Sequence, residues 1–198
     1  MSSLNLFADT VSMKHERIDP GSPEEQKLLY RCGIGALIFA VLDQITKELV
    51  IEHIQMYERV PVIPGFFDLT YVTNPGAAWG IFSHRGILLI AISLIVMALM
   101  LIFLRKICDG WRERYISLAL IVSGILGNTY DRFFRSTPGN LCDGQVVDFL
   151  SFYIKDIPWA VWPSFNVADS CICIGVGVFI LSNFIRPDKE KPKNEAVS

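Results

Sequence analysis

Between Gly86 and Leu104 the chain reads GILLIAISLIVMALMLIFL, a run with no charged residue. About 20 apolar residues in a helix cross the ~30 Å hydrocarbon layer of a bilayer. Lipid offers no hydrogen-bond partners, so a segment that enters it must satisfy its own backbone, and a helix does so. This run therefore predicts a membrane helix and sets the solvent in which the rest folds. Three further stretches, about 32–51, 115–134 and 168–185, have similar length. The expected fold is mainly α and integral to the membrane, with four transmembrane helices. Charged residues make up 19% of the chain, against about 25% in a typical soluble domain. With 18 Lys and Arg against 20 Asp and Glu, net charge is −2. No clustered basic surface offers itself to a polyanion, so nucleic acid is not expected as a partner.

Orientation follows from Lys and Arg in short flanking loops. Lys14, Arg17, Lys27 and Arg31 precede the first span; Arg105, Lys106, Arg112 and Arg114 separate the second and third; Arg186, Lys189, Lys191 and Lys193 follow the fourth. Both termini and the 105–114 loop are expected in the cytoplasm, and the longer loops, about 52–85 and 135–167, outside. Residues 1–27 read as a solvated, flexible extension, 28–186 as the membrane domain and 187–198 as a flexible tail. The run 60–73, rich in β-branched and aromatic residues and bounded by Pro and Gly, predicts a strand or two. Phe149, Phe152, Tyr153, Trp159, Trp162 and Phe165 suit an interfacial aromatic belt, with a platform for a lipid-bearing ligand as the sharper reading. Five Cys without CxxC and three His without HExxH support neither a disulfide framework nor a zinc site. No metal or cofactor is expected.

The spans are not uniform. Charges within a bilayer cost several kcal/mol and face protein or a wet cavity. Helical spacing puts Ala36, Ala40, Asp43 and Lys47 on one face, Gly124, Asn128 and Asp131 on a second, and Asn166, Asp169, Ser170, Cys173 and Gly177 on a third. By depth, Asp43, Asn128, Asp131, Asn166 and Asp169 all fall toward the outer face, where Asp148 joins them from a strand-like apolar run. Each has a structural alternative. Asp43 and Lys47 fit an i,i+4 ion pair, Asp131 could pair with Arg132, and Asn166 with Asp169 fits a helix cap and its reciprocal acid. Jointly they favour a carboxylate site.

Two carboxylates held close share a proton and titrate as a coupled pair. One can act as base on a water, while the other, protonated, polarises a carbonyl and supplies a proton to the leaving nitrogen. Ser123-Gly124 lacks the context of a serine nucleophile. Two non-enzymatic readings stand beside the hydrolytic one: a transporter, though the acids cluster at one face, and a scaffold whose polar faces serve helix contacts alone.

Five motifs in order carry a family resemblance: Asp43-Gln44-Ile45-Thr46-Lys47, Asn74-Pro75-Gly76-Ala77-Ala78-Trp79-Gly80, Gly127-Asn128-Thr129-Tyr130-Asp131-Arg132, Val146-Val147-Asp148-Phe149 and Phe165-Asn166-Val167-Ala168-Asp169-Ser170. Over roughly residues 30–186 the chain resembles the bacterial lipoprotein signal peptidases (signal peptidase II), aspartic endopeptidases of the cell membrane. The resemblance implies Asp148 and Asp169 as the catalytic pair. Asp43, Lys47, Asn74, Gly76, Asn128, Asp131, Arg132 and Asn166 would support the site or bind substrate. It implies cleavage of prolipoproteins before a diacylglyceryl-modified cysteine and inhibition by globomycin-like peptides. The connector between Asp131 and Asp148 is longer than the family usually has. Asp148 is preferred over Asp131 as the partner of Asp169 because its VVDF context is intact.

Overall fold

A computed structural model describes residues 17–76, 82, 85–135, 144–157 and 159–186. The C-terminal tail, residues 1–16 of the N-terminal extension, Ala77–Gly80 of the second motif and residues 136–143 of the long connector lie outside the described residues. In chain order the elements are α1 (Pro23–His53), β1 (Arg59–Ile63), β2 (Phe67–Asn74), α2 (Gly86–Ile102), α3 (Leu104–Cys108), α4 (Arg112–Phe134), β3 (Val146–Phe152) and α5 (Val167–Ile185).

Helix α1 begins well before the expected span at residue 32. Ser22 caps it, its hydroxyl accepting from Glu25 N at 3.1 Å, with Pro23 at the first turn. Proline is pre-set for that position, and an acidic first turn suits the helix dipole. The segment ahead is anchored as well: Ile18 is buried and its N–H donates to Gly110 O at 2.9 Å. Within 17–27 Ile18 and Glu25 are buried, while Asp19, Pro20, Pro23, Glu24, Gln26 and Lys27 are exposed to solvent.

Helix α4 is the hub, packed on α5, α1 and α2. Two glycines set the spacing. A Cβ on Gly124 would lie 2.3 Å from Ala168 O, and one on Gly127 would lie 2.5 Å from Asp43 Oδ2. Small residues are what allow such approach between membrane helices. The face expected on α5 requires correction. Cys173 is exposed and a Cβ on Gly177 would meet nothing. The helix instead packs through Ala168, Cys171, Gly175 and Ser182, because Gly124 and the Ser117 carbonyl admit that row. Asn166 and Asp169 sit on the helix as its cap, not on its packed stripe.

The strands form an antiparallel sheet in the order β1-β2-β3, with Val72 opposite Asp148 and Thr73 opposite Val147. Val146, Val147 and Phe149 are buried, and Val147 and Phe149 pack with Val50 and Ile54 at the end of α1. The aromatic segment divides in two. Phe152 stacks on Phe67 with centroids 4.6 Å apart, and on Phe165 at 5.8 Å, whereas Trp159 and Trp162 are largely exposed.

Polarity in the helices is inverted relative to a water-soluble domain. On α1, Asp43 and Lys47 are fully buried while Ile38, Leu42, Ile45 and Leu49 are exposed. Among the described residues, α5 alone is both long and apolar enough to mark a crossing by composition, with α2 the shorter apolar helix. The long helices α1 and α4 bury Asp43, Lys47, Arg114, Asp131 and Arg132, while Glu24, Glu48 and Arg112 stay exposed.

Candidate active site

The site forms where the β3 strand meets the start of α5. Val147 and Phe149 turn into the core, and Asp148 between them is also buried. Its Oδ1 accepts from Asn166 Nδ2 at 2.7 Å and its Oδ2 from Asn74 Nδ2 at 3.2 Å. Asn74, the last residue of β2, is oriented by Gly76, whose N–H donates to Asn74 Oδ1 at 3.0 Å. That leaves the amide nitrogen of Asn74 for Asp148.

Asn166 joins the two acids. As N-cap of α5 it accepts from Asp169 N at 2.9 Å, and its own N–H donates to Asp169 Oδ2 at 3.2 Å, a complete capping box. A cap worth ~1 kcal/mol to the helix thus fixes Asp169 next to the amide that holds Asp148. Asp169 Oδ1 accepts from Asn128 Nδ2 at 2.7 Å. The structural alternative and the site are the same residues.

Beneath this pair lies a charged knot. Lys47 Nζ is 2.7 Å from Asp43 Oδ2, 2.9 Å from Asp131 Oδ2 and 3.1 Å from Asn128 Oδ1, with Lys47, Asp43 and Asp131 all fully buried. Asp43 Oδ1 accepts from Ala168 N at 2.8 Å, and Asp131 Oδ2 accepts from Val147 N at 3.2 Å. The knot therefore grips the backbone next to each site acid. Lys47 also presents Asn128 with its oxygen committed, so the amide nitrogen of Asn128 faces Asp169.

The expected pairing of Asp131 with Arg132 is not what forms. Asp131 pairs with Lys47 and with Arg135 Nε at 3.0 Å, whereas Arg132 donates to Gly76 O at 2.8 Å and to Asn128 O at 3.2 Å. On a helix Arg135 is four residues from Asp131 and on its face; Arg132 is only one away. That spacing was the signal for Arg135. Gln44, which donates to Gly127 O and Asp43 Oδ2, each at 3.1 Å, could be found only from structure.

The acids of the upper layer lack what the lower layer has. Among the described residues no Lys or Arg forms an ion pair with Asp148 or Asp169. Burial, and then the negative charge of Asp169, push Asp148 up from its ordinary value of 3.8 to about 7, against the lowering pull of the two asparagines. A carboxyl poised near neutrality can hold a proton and exchange it, which is what general acid–base chemistry needs.

Residues 35–185 match the family described as signal peptidase (SPase) II. The chain belongs to this family. A lipoprotein signal peptidase of Geobacter metallireducens is 41% identical over 82% of this chain and 94% of its own length, and one of Clostridium acetobutylicum 37% identical over 81% and 96%. A solved bacterial membrane enzyme superposes with a TM-score of 0.68 at 28% identity, covering 90% of this chain and 97% of that one. Signal peptidase II enzymes are aspartic peptidases, hydrolases of lipoprotein processing. Membership decides between the hydrolytic reading and the transporter and scaffold readings, in favour of the enzyme.

Proposed function

We propose that Asp148 and Asp169 are the catalytic pair and that the chain removes signal peptides from prolipoproteins by cutting before a diacylglyceryl-modified cysteine. The single observation that carries this reading is the shared asparagine. Asn166 holds both carboxyl groups from one side chain and its own backbone, and among the described residues no Lys or Arg forms an ion pair with either. Two acids so placed favour a state with one proton between them. Asp148, the more buried, carries it; its Oδ2, on the longer contact to Asn74, is the oxygen free to hydrogen-bond a scissile carbonyl. Asp169, at a helix N-terminus and among N–H donors, takes the proton of the attacking water. As the tetrahedral intermediate collapses, the C–N bond breaks, the pair protonates the leaving nitrogen, and the shared proton is restored.

Asp43, Lys47, Asn128, Asp131 and Asn166 position the two acids, and Asn74, Gly76 and Arg132 shape the wall from which the peptide is met. Four crossings, α1, α2, α4 and α5, are supported by the inverted burial of α1. The Lys and Arg pattern supports cytoplasmic termini, with the site at the outer face of a bacterial inner membrane. There a lipid-anchored substrate presents its cleavage point at the surface, the exposed Trp159 and Trp162 rest among lipids, and globomycin-like peptides compete for the cleft.

Purified enzyme incubated with a diacylglyceryl-modified precursor releases signal peptide, and globomycin suppresses release. Asp148→Asn and Asp169→Asn each lower the rate by about 10³-fold or more, as loss of an essential acid or base does, with unchanged thermal unfolding. Asp131→Asn loses stability instead. Substantial cleavage by either of the first two variants overturns the assignment.

A further inference from the structure

Far from the acids, the backbones of helices α1 and α2 are not close neighbours among the described residues, and both pack on α4. The gap between them is a groove of about 170 Å³, lined by Gly33, Ala36, Met100, Leu104, Leu118 and Val122 among others. It takes nothing from the catalytic machinery. Its size limits what can enter. A dry apolar cavity of ~150 Å³ accepts a benzene-sized molecule, so this groove holds a slender alkyl segment and is far too narrow for another helix ~10 Å across. There is open space at Gly33, where a Cβ would meet nothing within 4 Å.

A charged pair lies beside the groove. Leu104 and Tyr115 both line it, and the Tyr115 hydroxyl donates to Glu25 Oε1 at 2.7 Å, while Glu25 Oε2 pairs with Arg105 Nε at 3.2 Å. Arg105 is 59% exposed although it pairs with Glu25, and a guanidinium has five N–H donors, more than one carboxylate contact uses. An apolar groove of this volume, with a half-exposed guanidinium on the residue that follows its lining Leu104, matches an acyl chain beside an anionic headgroup.

We propose that this groove is a binding site for one acyl chain of an anionic phospholipid whose phosphate sits on Arg105. The site rests on the membrane orientation proposed above, which puts the mouth in the cytoplasmic leaflet, but not on the assignment of Asp148 and Asp169. Inside a membrane the groove gains from packing around the chain and not from its transfer out of water, while the basic side chain selects an anionic headgroup over a zwitterionic one. The occupied groove would add a further contact between α1 and α2.

The test uses the full chain in detergent with a phosphatidylglycerol bearing a photoactivatable diazirine in its acyl chain, the cross-links being mapped by peptide mass. Labelling concentrates on residues 29–36 and 100–104 and saturates at one lipid per chain. Gly33→Leu, which fills the slot, lowers labelling there about tenfold. Arg105→Gln keeps the labelling but removes most of the preference for phosphatidylglycerol over phosphatidylcholine as competitor. Asp148→Asn labels as the parent does, so a failure of the catalytic assignment is separable. Even labelling over all lipid-facing helices, or groove labelling undiminished in both Gly33→Leu and a second filler, Ala119→Leu, overturns the proposal. So does displacement of the label by a signal peptide and not by phosphatidylglycerol, which would make the groove a peptide site.

Discussion

The two ends of the helix bundle both bury acids, and they treat them in opposite ways. At one end Glu25, fully buried, meets the Tyr115 hydroxyl, the Gly21 N–H and the Arg105 guanidinium. Burial alone would raise its carboxyl, but those hydrogen bonds and the cation outweigh it and hold it below its ordinary value of 4.5. At the other end Asp148 is given amide donors and a second carboxylate, and it rises to about 7. Burial is common to both; the partner decides whether a buried acid becomes a fixed brace or a working proton carrier. Their effects on stability have opposite signs. Glu25 contributes stability above pH 4.5 that is lost as pH falls. Asp148 binds its proton more tightly folded than unfolded, so its contribution declines as pH rises from about 4 to about 7.

The sharpest way to break the contrast is to remove the cation that makes the lower layer of the site end a brace. Lys47→Met preserves length and leaves Asp43 buried with no cation, while Asp131 keeps Arg135. Breaking a buried pair by deleting one partner costs about 3–5 kcal/mol. Thermal unfolding in detergent should show that loss, and cleavage should fall with it, since Asn128 loses the donor that orients its amide. Unchanged unfolding would mean that the knot is not what fastens α1 to α4. The corresponding change at the far end is smaller. Glu25→Gln keeps the shape and removes one charge from a pair whose Arg is largely in solvent, so it costs about 1–2 kcal/mol and leaves kcat/KM within about twofold. A large drop in kcat/KM there would abolish the distinction between the two ends.

Much of this was legible in the sequence because membrane constraints are local. Charge-free runs, i,i+4 pairs and a capping box are read along one helix, so Asp43 with Lys47, and Asn166 with Asp169, could be placed before any fold was known. What stayed hidden depends on partners distant in the chain. That Asp131 would choose Lys47 over Arg132, that α5 would pack through Ala168 and Gly175 and not through Cys173, and that Val147 N would lean on Asp131 all follow from how close α4 lets its neighbours come. The early start of α1 was readable from Ser22, Pro23 and the two glutamates, but hydropathy alone begins the helix where the apolar residues do. The family resemblance named the acids; the geometry adds which amide reaches which oxygen.

The finest test of the comparison adjusts the proton carrier without removing it. Asn74 donates to Asp148 Oδ2 and pulls its carboxyl downward. If Asp148 must be protonated to act, kcat/KM falls on an alkaline limb near pH 7 in the parent enzyme. Deleting the donor in Asn74→Ala raises Asp148 further, so the limb moves to higher pH. A neutral donor contributes about 0.5–1.5 kcal/mol, which at 1.36 kcal/mol per unit is a displacement of up to about one pH unit. The maximal rate will also drop, because Asn74 helps place the carboxyl, but a purely structural role would lower the whole profile without moving its limb. A limb that stays put or shifts to lower pH would show that the group titrating near neutrality is not Asp148.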